Sequence, residues 1–445
     1  MMKIHTIGGY DEVGKNMTAV EINGDIIVFD CGLYLPAVID IQENEKNPTP
    51  QMLRGAGAFP DENFLLKNKD KVRAFLITHA HLDHVGAVHY FAYKFPKAQI
   101  IGTPFTIEVL KSLMQDSKQH LRNKIFPIQP GGSITIKGHN KLYKAEFLNM
   151  THSTIQSTMI ALHTPEGIVI YANDYKLDNT PVMGSPPNYE KLKKLAKQGV
   201  KVAIVDCLYA DTDRKTNSEK IARAMVEESL LTIDHGNNGI IVSTFSSHIA
   251  RLKSIVEFSK KLDREVIFMG RSLAKYTNAA RRINQCPFEK DIQVATYTNQ
   301  LKSSLKKVEK NRGKYVVVCT GHQGEQGSIL DRLVKNKLHF NFSAKDSVIF
   351  SSKVIPTPVN IEHRAAMDKR LKQKDVRIFD NVHVSGHGGR EDLRDLLNIL
   401  KPQHFIPSHG GFDKTQSGMD LAKEIGYQEN KTAHLCKNGT IIEVR

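Results

Sequence analysis

A chain of 445 residues is too long for one compact core, so two lobes are expected. Its 40% apolar and 24% charged residues are those of a globular protein and exclude a long disordered tail. The 62 Lys and Arg against 47 Asp and Glu give a net charge of +15, which favours a polyanionic partner through steering and counterion release. No apolar run approaches ~18 residues, and the N-terminal MMKIHTIGGYDEVGKN has no apolar signal region, so the expected location is cytoplasmic and no membrane partner is expected. The five cysteines, Cys31, Cys207, Cys286, Cys319 and Cys436, are odd in number and form no Cys-x-x-Cys pair; they read as buried free thiols.

The first 180 residues alternate as strands and hairpins. MTAVEINGDIIVFDCG is two apolar runs around Asn23-Gly24, a type I′ hairpin signal, and MIALHTPEGIVIYAND repeats the pattern around Pro165-Glu166-Gly167. VRAFLIT (72–78) and YKAEFLNM (143–150) are further strands, and the aperiodic stretch Asp40 to Lys69 reads as a long surface loop. From about 187 the texture changes: VAIVD, GIIVSTF, EVIFMG, YVVVCTG and SVIFSS are short apolar runs, each followed by a helical or Gly/Ser-rich segment, as in a parallel α/β sheet. The last 70 residues return to short strands, VRIFD, NVHVSG, HFIPSHGG and GTIIEV. This order predicts a strand-rich lobe interrupted by an inserted α/β lobe.

Thr78-His79-Ala80-His81-Leu82-Asp83-His84 follows a buried strand and offers four potential ligands within six residues. Imidazole and carboxylate together suit zinc or a similar divalent ion. One tetrahedral site needs at most four protein ligands, so so dense a loop is better explained by two metals. Two such ions lower the pKa of a shared water toward neutrality and clamp the attacking and leaving oxygens of a phosphoryl displacement.

With the upstream Asp in IVFDCG, this H-x-H-x-D-H run resembles the signature of the metallo-β-lactamase superfamily. The resemblance implies that Asp30 orients a ligand from behind. It also implies that His79, His81 and His152 (in MTHST) hold one metal and Asp83, His84 and His409 the other, with Asp174 (in YANDYKLD) between them. The implied cofactors are two zinc ions, with manganese or magnesium as alternatives. Val382-His383-Val384-Ser385-Gly386-His387, then Ile406-Pro407-Ser408-His409-Gly410, together with Asp206 in VAIVDC, resemble the motifs of the β-CASP nucleases. In those enzymes the acid and the histidine pair, which assigns catalytic roles to Asp206 and His387 beside Asp83, with His387 protonating the leaving oxygen.

Within that branch the chain resembles ribonuclease J of the archaeal type, through GGYDEVGKNM (8–17), TFSSHIAR (244–251), Met269-Gly270-Arg271-Ser272 and Thr320-Gly321-His322-Gln323-Gly324-Glu325. His248 stands where bacterial members often have Asn, and Asn173 replaces a Gly. The resemblance implies an αββα metallo-β-lactamase sandwich (1–205 and 355–445) with an inserted β-CASP α/β domain (206–354), and single-stranded RNA in the cleft between the lobes. It implies a 5′-to-3′ exoribonuclease preferring a 5′-monophosphate. Contacts to RNA or phosphate fall to Ser247, His248, Arg271, Ser272, Thr320, Gly321, His322, Gln323, Glu325, His383, Ser385 and Gly386. A β-CASP endoribonuclease of the cleavage-and-polyadenylation-factor type and a non-catalytic RNA-binding scaffold are the alternatives, and a homodimer is left open. The basic runs 301–315 and 363–377 fit a nucleic-acid track as well as a solvated helix face.

Overall fold

The structure, a computed structural model, describes residues 1–44, 48–355 and 358–444. Its strands in chain order are β1 Met2–Gly8, β2 Met17–Ile22, β3 Asp25–Phe29, β4 Val72–Ile77, β5 Gln99–Gly102, β6 Ile125–Pro127, β7 Ser133–Lys137, β8 Leu142–Asn149, β9 Thr158–Thr164 and β10 Gly167–Ala172. They continue with β11 Val200–Asp206, β12 Ile240–Ser243, β13 Glu265–Met269, β14 Ile292–Ala295, β15 Tyr315–Cys319, β16 Ser347–Phe350, β17 Arg377–Phe379, β18 His404–Ser408 and β19 Thr440–Val444. Two compact units result, one of Met1–Thr216 with Ser385–Arg445, the other of Asn217–Val384.

In the first unit a seven-stranded sheet, β19-β1-β2-β3-β4-β5-β6, lies against a six-stranded one, β18-β11-β10-β9-β8-β7. Both anticipated hairpins form: β2 pairs antiparallel with β3, and β9 with β10. Asn23 (φ 51°) and Gly24 (φ 79°) take the left-handed pair of a type I′ turn. Because successive strand residues face opposite ways, Ile160, Val169 and Val202 point into the inter-sheet core with Val20, Phe29 and Leu76. Their neighbours Ala161, Ile170 and Ala203 point out, onto the apolar sides of helices Tyr189–Gln198, Arg390–Leu400 and Phe412–Glu424. Helix Pro104–Asp116 contacts β5 and β6 of the other sheet. The expected αββα sandwich is present.

The second unit is a parallel sheet, β14-β13-β15-β12-β16-β17. Two boundaries differ from expectation. VRIFD does not return to the first lobe but supplies β17, which pairs with β16, and the helix before it buries Met367 and Leu371 against the same sheet. NVHVSG is not a strand. The chain therefore re-enters the first unit at Ser385 and not at 355, and Asp206 to Thr216 stay with the first unit because β11 is inserted between β10 and β18. The stretch read as a loop from Asp40 to Lys69 is largely helical, with Leu35–Asn44, Pro50–Gly55 and Asn63–Lys67; residues 45–47 lie outside the described ones. Thr49 caps the middle helix, its hydroxyl accepting from the Met52 N–H ahead of Pro50 at the first position. All five cysteines are free and buried, and among the described residues no helix is long and apolar enough to cross a membrane.

Gly32 shows how tightly the first unit is closed where its loops meet. Cys31 and Leu33 donate N–H bonds to His84 and Leu82 carbonyls, and Gly32 to Asn16 O. A Cβ on Gly32 would lie 1.6 Å from the Asp83 carbonyl oxygen, a backbone atom that cannot turn aside. Gly32→Ala is expected to cost about 1–3 kcal/mol as an overpacked core does and to lower bound metal, because the displaced segment carries Asp83 and His84. Chemical denaturation and metal analysis check this; wild-type values for both would show that the contact relaxes freely.

Candidate metal centre and catalytic dyad

The site is assembled from strand ends. β3, β4, β8, β10, β11 and β18 finish at one edge of the first unit, and each ends on or is followed within a few residues by a polar group: Asp30, His79, His152, Asp174, Asp206 and His409. Ligand-carrying loops at the carboxyl ends of strands are the usual consequence of that arrangement. Asp30 (φ 55°), Asp174 (φ 58°) and His409 (φ 58°) hold left-handed backbone, unusual for residues with a side chain. That turn swings the side chain back over the strand ends instead of onward with the chain.

Hydrogen bonds fix how each imidazole faces. The Asp30 carboxylate accepts from the Thr78 N–H (2.8 Å), the Thr78 hydroxyl (3.0 Å) and His84 Nδ1 (2.7 Å). With its proton given to Asp30, Thr78 Oγ1 accepts from His79 Nδ1 at 3.0 Å. His152 Nδ1 donates to the Gly386 carbonyl (2.7 Å) and His409 Nδ1 to Asn16 Oδ1 (2.9 Å). Nε2 of each ring is thereby turned toward the other candidate ligands, with His84 Nε2 also 3.1 Å from Asn16 Nδ2 and His152 Nε2 3.2 Å from Ser153 Oγ.

Two clusters follow. His79 Nε2 and His152 Nε2 each stand 3.1 Å from His81 Nδ1 and 3.4 Å from Asp174 Oδ2. His84 Nε2 stands 3.1 Å from Asp174 Oδ1 and 3.5 Å from Asp83 Oδ2, with His409 Nε2 3.9 Å from Asp83 Oδ2. The two carboxylate oxygens of Asp174 are thus divided between the clusters, and Oδ1 is buried with no hydrogen-bond partner among the described residues. Ligands on one tetrahedral ion with bonds of about 2.0–2.1 Å stand ~3.3 Å apart, so the donor set fits a divalent cation in each cluster. Burial, reinforced by neighbouring imidazoles, pushes the pKa values of His79, His81 and His152 down and keeps them neutral. Burial also opposes charge on His84, but Asp174, Asp83 and Asp30 outweigh it and raise its pKa; a cation at those carboxylates would take over that role.

His387 and Asp206 stand beside the first cluster. His387 Nδ1 donates to Asp206 Oδ2 at 2.7 Å, and Asp206 Oδ1 accepts from the Leu208 N–H, so both carboxylate oxygens are taken. His387 Nε2 faces Asp174 Oδ2 at 3.8 Å. Burial opposes its protonation, yet Asp174 and Asp206 raise its pKa to about 9. A histidine held by a carboxylate on one nitrogen and open to the metal cluster on the other is placed to hold and deliver a proton.

The residues assigned to phosphate separate into groups. Ser385 and Gly386 serve the centre itself: Ser385 Oγ accepts from the His387 N–H, and Gly386 O holds His152. Ser247, Arg271, Ser272, Thr320 and Gly321 stand beyond the C-terminal ends of β12, β13 and β15, neighbouring strands of the second unit, with Arg271 exposed. His322 is 4% exposed against Phe245 (ring centroids 4.1 Å), neither of its ring nitrogens having a hydrogen-bond partner among the described residues. Others are spent on the fold. His248 caps helix Ile249–Lys261 and lies 3.3 Å from Glu219, which also grips the fully buried Arg251. Gln323 bonds Lys353 O and the Ile355 N–H, and Glu325 the Gln323 N–H. His383 is partly buried, with Nδ1 without a partner among the described residues. Sequence reasoning missed Asn16, Thr78 and Gly32; the only signal for Asn16 was its place at the end of a Gly-rich turn.

Comparison with known proteins agrees with this geometry. Residues 10–207 match the metallo-beta-lactamase superfamily, residues 237–364 the beta-CASP domain of ribonuclease J, and residues 375–434 the RNA specificity domain of Zn-dependent metallo-hydrolases. The chain is 40% identical to the ribonuclease J of Pyrococcus abyssi, covering 100% of this chain and 97% of that one. It is 39% identical to that of Methanocaldococcus jannaschii, covering 98% of each. With the Helicobacter pylori ribonuclease J, 30% identical, it shares 100% of its own length and 61% of the relative's. A crystal structure of a protein of unknown function from Enterococcus faecalis V583 has the same fold, with a TM-score of 0.63 at 15% identity over 99% of both chains. Sandwich, inserted parallel sheet, convergent ligands and full-length similarity together place this chain in the ribonuclease J family of metal-dependent β-CASP ribonucleases.

Proposed function

We propose that the chain is a 5′-to-3′ exoribonuclease that degrades single-stranded RNA from a 5′-monophosphate, with two zinc ions in the clusters that share Asp174. When bound, the metals supply a water ionised near neutral pH and positive charge for the phosphoryl oxygens. The protein's own groups do the rest. Asp30, Thr78, Asn16 and the Gly386 carbonyl fix the imidazoles, so little reorganisation remains at the moment of reaction. Asp206 holds His387 with its proton on the side of the metal cluster, where the departing 3′ oxygen needs one.

The observation that supports a preferred end is the group of donors on adjacent strand ends of the second unit. Arg271, the Thr320–Gly321 turn and the unpartnered ring of buried His322 suit a phosphate dianion. Gly321, at φ 127° with a would-be Cβ 2.6 Å from Ser328 Oγ, keeps that turn accessible only as glycine.

His81→Ala and Asp83→Ala are expected to abolish hydrolysis while the fold persists; turnover within tenfold of wild type at limiting metal would contradict a joint action of both clusters. His387→Ala is expected to slow cleavage by about 10²–10⁴-fold without lowering bound metal, and a variant short of metal would make His387 a ligand instead. For direction, RNAs with a 5′-monophosphate, 5′-triphosphate or 5′-hydroxyl are compared. Mononucleotides should leave the monophosphorylated end first, and Arg271→Ala should reduce that preference about tenfold to a hundredfold, the worth of one charge-assisted bond of about 1.5–3 kcal/mol. Internal fragments appearing at equal rates from all three RNAs would identify an endonuclease.

A further inference from the structure

The two basic runs lie about 60 residues apart in sequence, yet they fold onto one side of the second unit. Leu301, Leu305 and Val308 of helix Thr298–Lys310, Leu330 and Leu333 of helix Ile329–Val334, and Met367 and Leu371 of helix Pro358–Lys372 all pack against Ile241, Ile267, Val317 and Val348. Those strand residues share one parity and hence one face of the sheet. The three helices therefore form a layer, with their polar sides turned to solvent.

That outer side carries an excess of positive charge, since the layer's own ion pairs, Lys335–Asp331 and Arg364–Asp368, leave six of its exposed cations out. Lys302, Lys306, Lys307, Lys369, Arg370 and Lys372 are exposed, and none has a carboxylate within ion-pair distance among the described residues. The helices on the opposite side differ: Arg223 pairs with Glu257 (2.6 Å), Lys260 with Asp291 (2.6 Å) and Lys261 with Glu227 (3.7 Å). Residues 217–384 hold 29 Lys and Arg against 17 Asp and Glu, a net +12 of the chain's +15. Like charges at i and i+4, as Lys302 with Lys306, each cost a helix about 0.2–0.5 kcal/mol. A polyanion laid over the layer would reverse that cost and release counterions.

We infer that this three-helix layer is a second RNA-binding surface, separate from the strand-end loops, which holds the phosphodiester backbone of a long RNA without reading its bases. Lysines and an arginine bearing no fixed partner suit sequence-independent backbone contact. The layer rests on the ribonuclease reading, since its ligand is the substrate's own downstream strand.

The test uses the metal-loaded full chain with Lys302→Gln, Lys306→Gln, Lys369→Gln and Arg370→Gln combined. kcat/KM is measured over a range of salt on an RNA of several tens of nucleotides and on one of fewer than ten. The long RNA should lose at least tenfold in kcat/KM at ~0.1 M salt, with a log–log salt slope shallower by up to ~3, at about 0.7 per lost phosphate contact. The short RNA should be cleaved as by wild type. Unchanged kinetics on both RNAs would overturn the inference and leave the layer to a partner of another class. Equal loss on both would also overturn it, by placing these residues at the catalytic groove. A wild-type chain that cleaves no RNA of either length would instead remove the ribonuclease reading beneath it.

Discussion

Asp174 is one buried carboxylate whose two oxygens face different sets of candidate ligands, and the arrangement around it is intelligible only through that division. Oδ2 stands within 3.4 Å of His79 and His152, and Oδ1 within 3.1–3.4 Å of His84 and His409. Asp174 Oδ1 is buried with no hydrogen-bond partner among the described residues, which carries a desolvation penalty. A divalent cation bound there would offset that penalty by accepting the oxygen's lone pair.

Everything nearby holds that division in place. The left-handed turns at Asp30, Asp174 and His409 aim side chains from the ends of three strands toward one volume. Asp30 couples Thr78 to His84, Asn16 reaches His409, and the Gly386 carbonyl orients His152 from the loop that carries His387. His387 and the orientation of His152 are consequently set by the same short loop, Ser385–Gly386–His387. A shift of that loop would disturb both at once.

Much of this was legible in the sequence. The H-x-H-x-D-H run, the type I′ turn at Asn23-Gly24 and the alternating strand patterns are local signals, and local signals survive without tertiary information. The full ligand set was legible only through family resemblance, since nothing in the spacing of His152, Asp174 or His409 ties them to His79. What failed was decided by packing. Arg377–Phe379 looked like any other short strand, and only its pairing with β16 assigns it to the second unit. His248 looked like a loop histidine offered to phosphate, but Glu219, distant in sequence, claims its ring. The supporting roles of Asn16 and the Gly386 carbonyl are backbone-and-amide contacts that no residue pattern announces.

The claim that the two clusters are one centre is tested most directly by metal stoichiometry in Asp174→Asn. The wild-type chain, dialysed against trace divalent metal, should retain two equivalents by elemental analysis. Removing the shared charge should weaken both, each by at least tenfold in affinity, because each cluster loses a carboxylate oxygen. Loss of a single equivalent, with the other bound as tightly as before, would mean that Asp174 serves one cluster only and that the centre is not shared.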